Sequence, residues 1–367
     1  MIEPFRIEIR DAQLDDLRAR LANTRWPEAE TVEDWSQGIP LAYVRELCDY
    51  WRTGYDWRRT EARLNEIPQF RTEIDGLGIH FFHVRSPQED ATALILTHGW
   101  PGSVVEFMKV IEPLSQDFHL VVPSLPGYGF SDKPAQPGWG VRTIAAAWDE
   151  LMTRLGYERY GAHGGDWGSP ITMHLGARSP EHVAGIHLTM PVIPPAVFGE
   201  LGELTEDELA VLARFAEYRK SGSGYSKQQS TRPQTLGYGL VDSPAGQCAW
   251  IVEKFREWTD CDGDPENVLS KDELLDNVML YWLPETAASS ARLYWESFND
   301  SDRPKVGVPT ACSSFPKEII RIPKRAAELW FSDLRQWREH DRGGHFAALE
   351  QPDALVEDLR SFFGELR

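Results

Sequence analysis

Hydrophobic residues near the start of the chain follow a helical period. Residues 11–27, 40–51 and 57–67 each place apolar side chains at helical spacing, which predicts three short amphipathic helices. In residues 70–86 apolar and polar side chains then alternate with period two around an Asp-Gly pair, a pattern typical of a β-hairpin. Its two histidines, His80 and His83, are an odd number of residues apart. They therefore point to opposite faces of the strand, which argues against a shared metal site.

Between residues 93 and 190 the pattern becomes strand, loop and helix, repeated. The strands are short and almost wholly apolar, at residues 93–96, 119–123, 160–165 and 183–190. Strands of this kind are covered on both faces. Repeated strand–helix units predict an α/β fold in which a mostly parallel central sheet carries its reactive loops at the carboxyl ends of the strands.

After residue 190 the alternation stops, and the chain is mainly helical until about residue 304. It returns with VGVPTACSSF and RQWREH and closes on a C-terminal helix. We therefore predict four segments. They are an N-terminal helical extension with the first hairpin (1–88), the first part of the core (89–192), an inserted helical lid (193–303) and the second part of the core (304–367).

Composition restricts the class of protein. The 367 residues are 41% hydrophobic and 26% charged, as in one soluble, enzyme-sized unit. A net charge of −19 repels phosphates and anionic lipids, so we expect neither nucleic-acid nor membrane partners. The four scattered cysteines indicate no disulfide framework. The sequence shows no secretory signal pattern and no apolar run of about 18 to 20 residues, so a cytoplasmic location is predicted.

Two patterns that resemble ligand sites are incomplete. Asp260, Asp262 and Asp264 begin like a calcium loop, but Pro265 stands where the glycine belongs. The glycines of PGYGFSD lack the third glycine and the acid of a dinucleotide fingerprint. The sequence therefore implies no metal and no cofactor.

The stretch GAHGGDWGSP, residues 161–170, carries the strongest chemical signal. Glycines around Asp166 allow a sharp turn from strand to helix that holds one side chain in a strained conformation. Such a turn presents the nucleophile in G-x-S-x-G enzymes, and here a carboxylate occupies the reactive position. A carboxylate attacks saturated carbon, so the substrate needs a strained ring or a good leaving group. The alternative is a glycine-rich loop in which Asp166 only caps a helix.

A base and an orienting acid follow later in the chain. His345, in DRGGHFAALEQPD, comes just after the last predicted strand, where a loop can extend over the sheet edge. Glu318, in SSFPKEII, follows the strand before it. The chain order Asp166, Glu318, His345 is that of nucleophile, acid and histidine in α/β-hydrolases.

Two backbone amides are candidates for an oxyanion hole. One belongs to Trp167, directly after the proposed nucleophile, and the other to Trp100 in HGWPGS, in the loop after the first core strand.

Seven motifs together resemble one family. They are HGWPGS, PGYGFSD, GGDWG, GYSKQQSTRP, LYWLPETAASSARLYWE, SSFPKE and RGGHFAALEQP. With these motifs in this order, the chain resembles the epoxide hydrolases of the microsomal type, which have the α/β-hydrolase fold. The resemblance runs almost from end to end, and residues 1–88 resemble the extra N-terminal domain of that family. Because the membrane anchor of membrane-bound members is missing, the chain resembles the soluble bacterial and fungal branch.

The resemblance also implies two lid tyrosines that hold and protonate the epoxide oxygen. The matching positions are Tyr225, in GYSKQQSTRP, and Tyr294, in ARLYWESF. From the residues alone, Tyr218, Tyr238 and Tyr281 are rivals.

Together these residues predict that Asp166 opens an epoxide to an alkyl-enzyme ester, which water activated by His345 hydrolyses to a vicinal diol. The expected partners are a small-molecule epoxide and water, and a homodimer is left open. Aromatic residues near the motifs favour a hydrophobic or aryl epoxide. These residues are Trp250, Trp282, Trp295 and Phe315. The resemblance to the soluble bacterial branch, which includes natural-product biosynthetic enzymes, implies in addition a polyketide-like epoxide from natural-product biosynthesis, or one met in xenobiotic degradation.

Two other functions fit part of this pattern. A haloalkane dehalogenase shares an elbow aspartate followed by tryptophan, but two lid tyrosines suit an epoxide oxygen better than a halide. A catalytically silent binding protein of this fold is the second alternative. It is disfavoured because a nucleophile, acid, base and both tyrosines are all present.

Overall fold

One β-sheet organises the chain in the computed structural model, which describes residues 1–298 and 302–366. The strands of the described chain are β1 (Ile2–Pro4), β2 (Gln69–Ile74), β3 (Leu77–Val84), β4 (Thr92–Thr97), β5 (Phe118–Pro123), β6 (Tyr160–Gly164), β7 (Val183–Leu188), β8 (Thr310–Ser314) and β9 (Leu334–Glu339). Their spatial order is β1-β2-β3-β5-β4-β6-β7-β8-β9. Pairing is antiparallel from β1 to β5 and parallel from β5 through β4 to β9. The predicted α/β fold with a mostly parallel sheet is confirmed.

The hydrophobic pattern follows the position of each strand in the sheet. Strands β4 to β8 are buried along almost their whole length, because helices cover both faces. The edge strands β1 and β9 are largely exposed. Strand β1 was not predicted, because its three residues include a proline and form a strand only by pairing with β2, from Ile2 opposite Thr72 to Pro4 opposite Phe70.

Helices lie before, between and after these strands. Three form the N-terminal extension: α1 (Asp11–Ala22), α2 (Leu41–Thr53) and α3 (Trp57–Asn65). Three pack on the sheet in the first part of the core: α4 (Met108–Ser115), α5 (Val141–Arg154) and α6 (Gly168–Arg178). A 3₁₀ turn, Val104–Phe107, leads directly into α4.

Between β7 and β8 the described chain contains helices only. They are α7 (Glu206–Glu217), α8 (Gly224–Thr231), α9 (Pro233–Asp242), α10 (Pro244–Trp258), α11 (Lys271–Trp282) and α12 (Ala287–Phe298), with 3₁₀ turns at Pro195–Glu200 and Pro265–Asn267. A π-helical turn, Tyr218–Gly222, separates α7 from α8. The chain ends with α13 (Lys324–Trp330), α14 (Ala347–Glu350) and α15 (Pro352–Gly364). No described helix has the length and apolar character needed to cross a membrane.

Helix α11, which belongs to the segment called the lid, packs against the N-terminal extension. Its buried Asp276 accepts hydrogen bonds from Tyr55 (2.7 Å) and Thr60 (2.5 Å) and pairs with Arg63 at 2.6 Å. All three partners belong to the extension or the loop beside it. The extension therefore packs against the lid through a buried, fully hydrogen-bonded carboxylate.

The same helix also holds a core loop. Asn277 donates to the carbonyl oxygen of Pro101 (2.7 Å), and Tyr281 donates to that of Gly102 (2.6 Å). These carbonyls belong to the HGWPGS loop after β4. Helix α11 thus connects three parts of the molecule, and one of them lies beside Asp166.

Candidate active site

Asp166 lies on the turn between β6 and α6, at the carboxyl edge of the sheet. Its φ angle is +45°, a left-handed conformation that is unfavourable for a residue with a side chain. Small residues make the turn possible: a Cβ at Gly168 would collide with the backbone carbonyl of Thr97. The turn brings the carboxylate against the loop after β4 and the loop after β9. The sequence prediction of a strained elbow at Asp166 agrees with this conformation.

The loop after β4 supports one oxygen of that carboxylate. The backbone N–H of Trp100 donates a 2.7 Å hydrogen bond to Asp166 Oδ1. Gly99 permits the approach, because a Cβ there would collide with the Asp166 carboxylate. The amide of Trp167, the other predicted donor, precedes the first turn of α6 and makes no hydrogen bond to this carboxylate in the described chain.

His345 contacts the other oxygen of Asp166. Its Nε2 lies 3.4 Å from Asp166 Oδ2, and its Nδ1 lies 2.7 Å from Glu318 Oε1. Glu318 sits on the loop after β8 and His345 on the loop after β9, both buried. The backbone N–H of Ile319 donates to the same Glu318 oxygen (2.6 Å) and fixes it. The three residues predicted from distant parts of the sequence therefore form one line, with a hydrogen bond between Glu318 and His345 and a 3.4 Å ion-pair contact between His345 and Asp166.

Electrostatics give this line a definite protonation state. Burial alone lowers the pKa of His345, but the carboxylates of Glu318 and Asp166 outweigh it and raise that pKa well above the ordinary value. The imidazole therefore carries a proton in the ligand-free protein and forms an ion pair with Asp166. Loss of the Asp166 charge would lower the pKa of His345 again.

Two buried lid tyrosines lie above Asp166. Tyr225 is on α8 and Tyr294 on α12, and both contact the indole of Trp100: Tyr225 stacks on it at 4.9 Å, and Tyr294 meets it edge-on at 6.0 Å. Burial raises the pKa of both hydroxyls well above the ordinary value, and the charge of Asp166 adds to the shift. Both tyrosines are therefore neutral and hold a proton that they can donate.

The three rival tyrosines have other surroundings. Tyr238 is 73% exposed, and Tyr281 donates to Gly102 as part of α11. Tyr218, which begins the π-helical turn, lies with its hydroxyl 2.8 Å from that of Tyr225. π-Helical turns are frequent at functional sites. Tyr218 is thus a hydrogen-bond partner of Tyr225, a role that the sequence pattern did not indicate.

Two tryptophans outside the predicted aromatic set contact the tyrosines and His345. Trp258 contacts both Tyr225 (5.2 Å) and His345 (5.0 Å), and Trp167 contacts Tyr294 (4.7 Å). Phe315, predicted near the pocket, instead stacks on His340 at 4.5 Å. Trp295 is 41% exposed, in a separate surface groove. Neither residue lines the small cavity beside Asp166, and an aromatic pocket built from the predicted residues stays a prediction.

A small cavity lies beside Asp166, and neither Tyr225 nor Tyr294 belongs to its lining. Its lining includes Glu106, His163, Asp166 and His345. The volume that the centre of a water molecule can reach is about 10 Å³, room for roughly one water and too little for an organic substrate. Burial raises the pKa of Glu106 to about 8. Sequence reasoning missed Glu106, although an acid within the apolar run VVEFM is a usable signal.

Comparisons with known proteins agree with this geometry. Residues 2–107 match the model described as epoxide hydrolase N terminus, and residues 92–222 match the model described as alpha/beta hydrolase fold. Fold and site together define an α/β hydrolase with an aspartate at the elbow.

Relatives narrow the class to one family. A Stigmatella aurantiaca protein with the provisional name of epoxide hydrolase is 53% identical over 100% of this chain and 86% of its own length. Epoxide hydrolase 1 of Sus scrofa is 36% identical over 100% of this chain and 89% of its own. The crystal structure of juvenile hormone epoxide hydrolase from the silkworm Bombyx mori superposes with a TM-score of 0.92 at 33% identity, covering 100% and 95% of the two chains. The chain belongs to the epoxide hydrolases, and that prediction is confirmed.

Proposed function

We propose that this epoxide hydrolase works through a covalent ester on Asp166. The observation that carries the proposal is the position of its carboxylate. Oδ1 is held by the Trp100 N–H at 2.7 Å, Oδ2 lies 3.4 Å from His345 Nε2, and two neutral tyrosines pack on the neighbouring indoles of Trp100 and Trp167. A fixed carboxylate below two proton donors is suited to attack on an epoxide carbon.

In the first step, an Asp166 oxygen forms a bond to the epoxide carbon as the ring C–O bond breaks. The electron pair goes to the epoxide oxygen, which takes a proton from Tyr225 or Tyr294. The ester has lost the charge of Asp166, so the pKa of His345 falls and its proton replaces the one that the tyrosine gave. The products of this step are a hydroxyalkyl ester and a neutral His345.

In the second step, water attacks the carboxyl carbon of Asp166. His345 Nε2 takes one proton from the water, Glu318 stabilises the resulting imidazolium, and the Trp100 and Trp167 amides stabilise the oxyanion. Collapse of the tetrahedral intermediate expels the alcohol, which takes the proton from His345, and releases the vicinal diol. The carboxylic acid left at Asp166 then protonates His345, restoring the ion pair.

For the substrate, we propose a hydrophobic epoxide with an aryl group or a comparable flat apolar group. The support is the wall around the tyrosines, which is built from the indoles of Trp100, Trp167 and Trp258. A panel of terminal aryl and aliphatic epoxides, with chiral analysis of the diols, tests this. Equal kcat/KM values across the panel would contradict it.

A single turnover of styrene oxide in heavy-oxygen water tests the covalent route. Because water attacks the carboxyl carbon, the label should enter Asp166, and the first diol should be unlabelled. Mass spectrometry of the peptide that contains Asp166 and of the diol measures both. Label in the first diol and none in Asp166 would exclude the ester.

A homodimer stays a prediction, and light scattering after gel filtration tests it.

A further inference from the structure

A chain of buried polar side chains leads away from the small cavity beside Asp166. It begins at His163 on β6, whose Nδ1 lies 3.0 Å from Nδ1 of His187 on β7. His187 Nε2 lies 2.9 Å from Ser313 Oγ on β8. Ser313 in turn donates to Asp358 Oδ2 on α15. All four residues are at least 97% buried. This series of hydrogen bonds crosses three neighbouring parallel strands, β6, β7 and β8.

Asp358 sets the direction of every hydrogen bond in this chain. Burial raises the pKa of this carboxyl, but hydrogen bonds from His340 and Ser313 outweigh it and lower the pKa below the ordinary value, so Asp358 only accepts. Ser313 must therefore donate to Asp358 and accept from His187 Nε2–H. His187 Nδ1 is then an acceptor, because burial keeps the ring neutral by lowering its pKa to about 4. It accepts from Nδ1–H of His163.

This order of donors and acceptors leaves the second ring nitrogen of His163, Nε2, without a proton. Burial holds the pKa of His163 well below its ordinary value, so the ring is neutral and its proton is on Nδ1. Nε2 is then a lone pair. The only side chain in the described residues that hydrogen-bonds to His163 is His187, and His163 lines the cavity that it shares with Asp166, His345 and Glu106. The cavity therefore contains a fixed hydrogen-bond acceptor besides the His345 base.

We propose that His163 Nε2 accepts a hydrogen bond from the water that hydrolyses the Asp166 ester, and that His187, Ser313 and Asp358 act as positioning residues that fix this acceptor. The inference rests on the proposed ester mechanism. The water has two protons: one goes to His345 Nε2, and the other stays on oxygen and is directed to His163. A lone pair of the water is thereby aimed at the carboxyl carbon, and one proton remains on the new carboxylic acid.

Two His163 variants test the contact by separating the two half-reactions. In His163→Leu the imidazole acceptor is lost, so ester hydrolysis should slow by about 10- to 100-fold while ester formation changes less than about 2-fold. In His163→Gln an amide oxygen can accept, and most of the hydrolysis rate should return. Rapid-quench mass spectrometry with styrene oxide measures both rates. Equal hydrolysis rates in wild type and His163→Leu would overturn the proposal, as would an equal slowing in both variants.

The tautomer can be measured in the wild-type protein, independently of any variant's folding. Two-bond ¹H–¹⁵N spectra of the protein with ¹⁵N-labelled histidine show which ring nitrogen carries the proton. We expect an unprotonated Nε2 at His163, and a mixed tautomer in Ser313→Ala, with intermediate loss of the hydrolysis rate. Protonated Nε2 in the wild type would overturn the proposal. His80→Gln, a buried strand histidine outside the cavity, is the matched control and should leave both half-reactions unchanged.

The same data separate the two proposals. If no ester forms in the wild type, the proposed mechanism fails. If the ester forms and His163→Leu hydrolyses it at the wild-type rate, only the role of His163 fails.

Discussion

Two regions beside Asp166 differ in polarity and in the space they hold: the tyrosine cluster, called here the lid side, and the small cavity, called the core side. On the lid side, Tyr225 and Tyr294 lie among indole rings, neutral and with protons to donate. On the core side, His345, Glu106 and His163 surround a space for roughly one water. The difference separates two incompatible requirements. Epoxide opening needs apolar room and an acid, whereas ester hydrolysis needs one water and a base. In the proposed mechanism Asp166 takes part in both reactions, because both regions contact its carboxylate or lie beside it.

Removing the Asp166 carboxylate should have the largest effect. Asp166→Asn keeps the shape but loses the nucleophilic carboxylate, so both sides are left without a common intermediate. We expect kcat for styrene oxide to fall by at least about 10⁴-fold, as for other covalent nucleophiles. Diol formation measured by chromatography checks this. Asp15→Asn, an exposed carboxylate on α1, is the control, and more than a tenth of wild-type activity in Asp166→Asn would contradict the assignment.

Removing the base should disable the core side alone. In His345→Gln the ester should still form on the lid side, and its hydrolysis should slow by about 10³-fold, since general base catalysis is lost. Intact-protein mass spectrometry should show an adduct with the mass of the epoxide. Rapid turnover without an adduct would mean that His345 is not the base.

Removing the lid acids should have the opposite signature. Tyr225→Phe and Tyr294→Phe should each slow ester formation by about 10²-fold, because a proton donor for the alkoxide is lost. Hydrolysis of an ester already formed should be unchanged. Stopped-flow tryptophan fluorescence with styrene oxide resolves the two phases. Tyr238→Phe, at an exposed position, is the matched control, and a slower hydrolysis phase in the lid variants would break the separation.

Acid should destabilise the packed core through its buried histidines, whereas the neutral lid tyrosines do not titrate in this pH range. Burial lowers the pKa of His98 and of His187 to about 4, whereas both titrate near about 6.5 in the unfolded chain. The unfolded state therefore binds more protons below that value. Each residue's contribution to stability is present above pH 6.5 and is lost as the pH falls to 4, by about 3 kcal/mol. Urea unfolding at a series of pH values measures the loss, and His98→Gln should show a smaller slope.

The smallest effect is expected at Tyr218. Its hydroxyl lies 2.8 Å from that of Tyr225 and can orient it. Tyr218→Phe should slow ester formation by only about 3- to 10-fold, consistent with the loss of one hydrogen bond between neutral groups. Single-turnover rates check this. A change larger than that of Tyr225→Phe would mean that Tyr218 is itself a principal acid.

The sequence predicted what short-range patterns encode. Asp166, Glu318 and His345 follow three strand ends, and parallel strands bring such ends to one edge of the sheet. The position of Glu106 and His163 beside Asp166 could not be predicted in this way. It depends on a cavity formed between elements that are distant in sequence. Strand β1 was missed for a related reason, since its conformation is set by its partner β2 and hardly by its own residues.

Helix α11 has a consequence for how the protein unfolds and how it can be re-engineered. It is hydrogen-bonded to the N-terminal extension through Asp276 and to the HGWPGS loop through Asn277 and Tyr281. Neither the extension nor the lid can detach without leaving these buried groups unpaired. The three parts should therefore melt in one cooperative transition. The extension is thus an integral part of the catalytic body, and cutting it away to make a smaller enzyme would disturb the loop that holds Asp166.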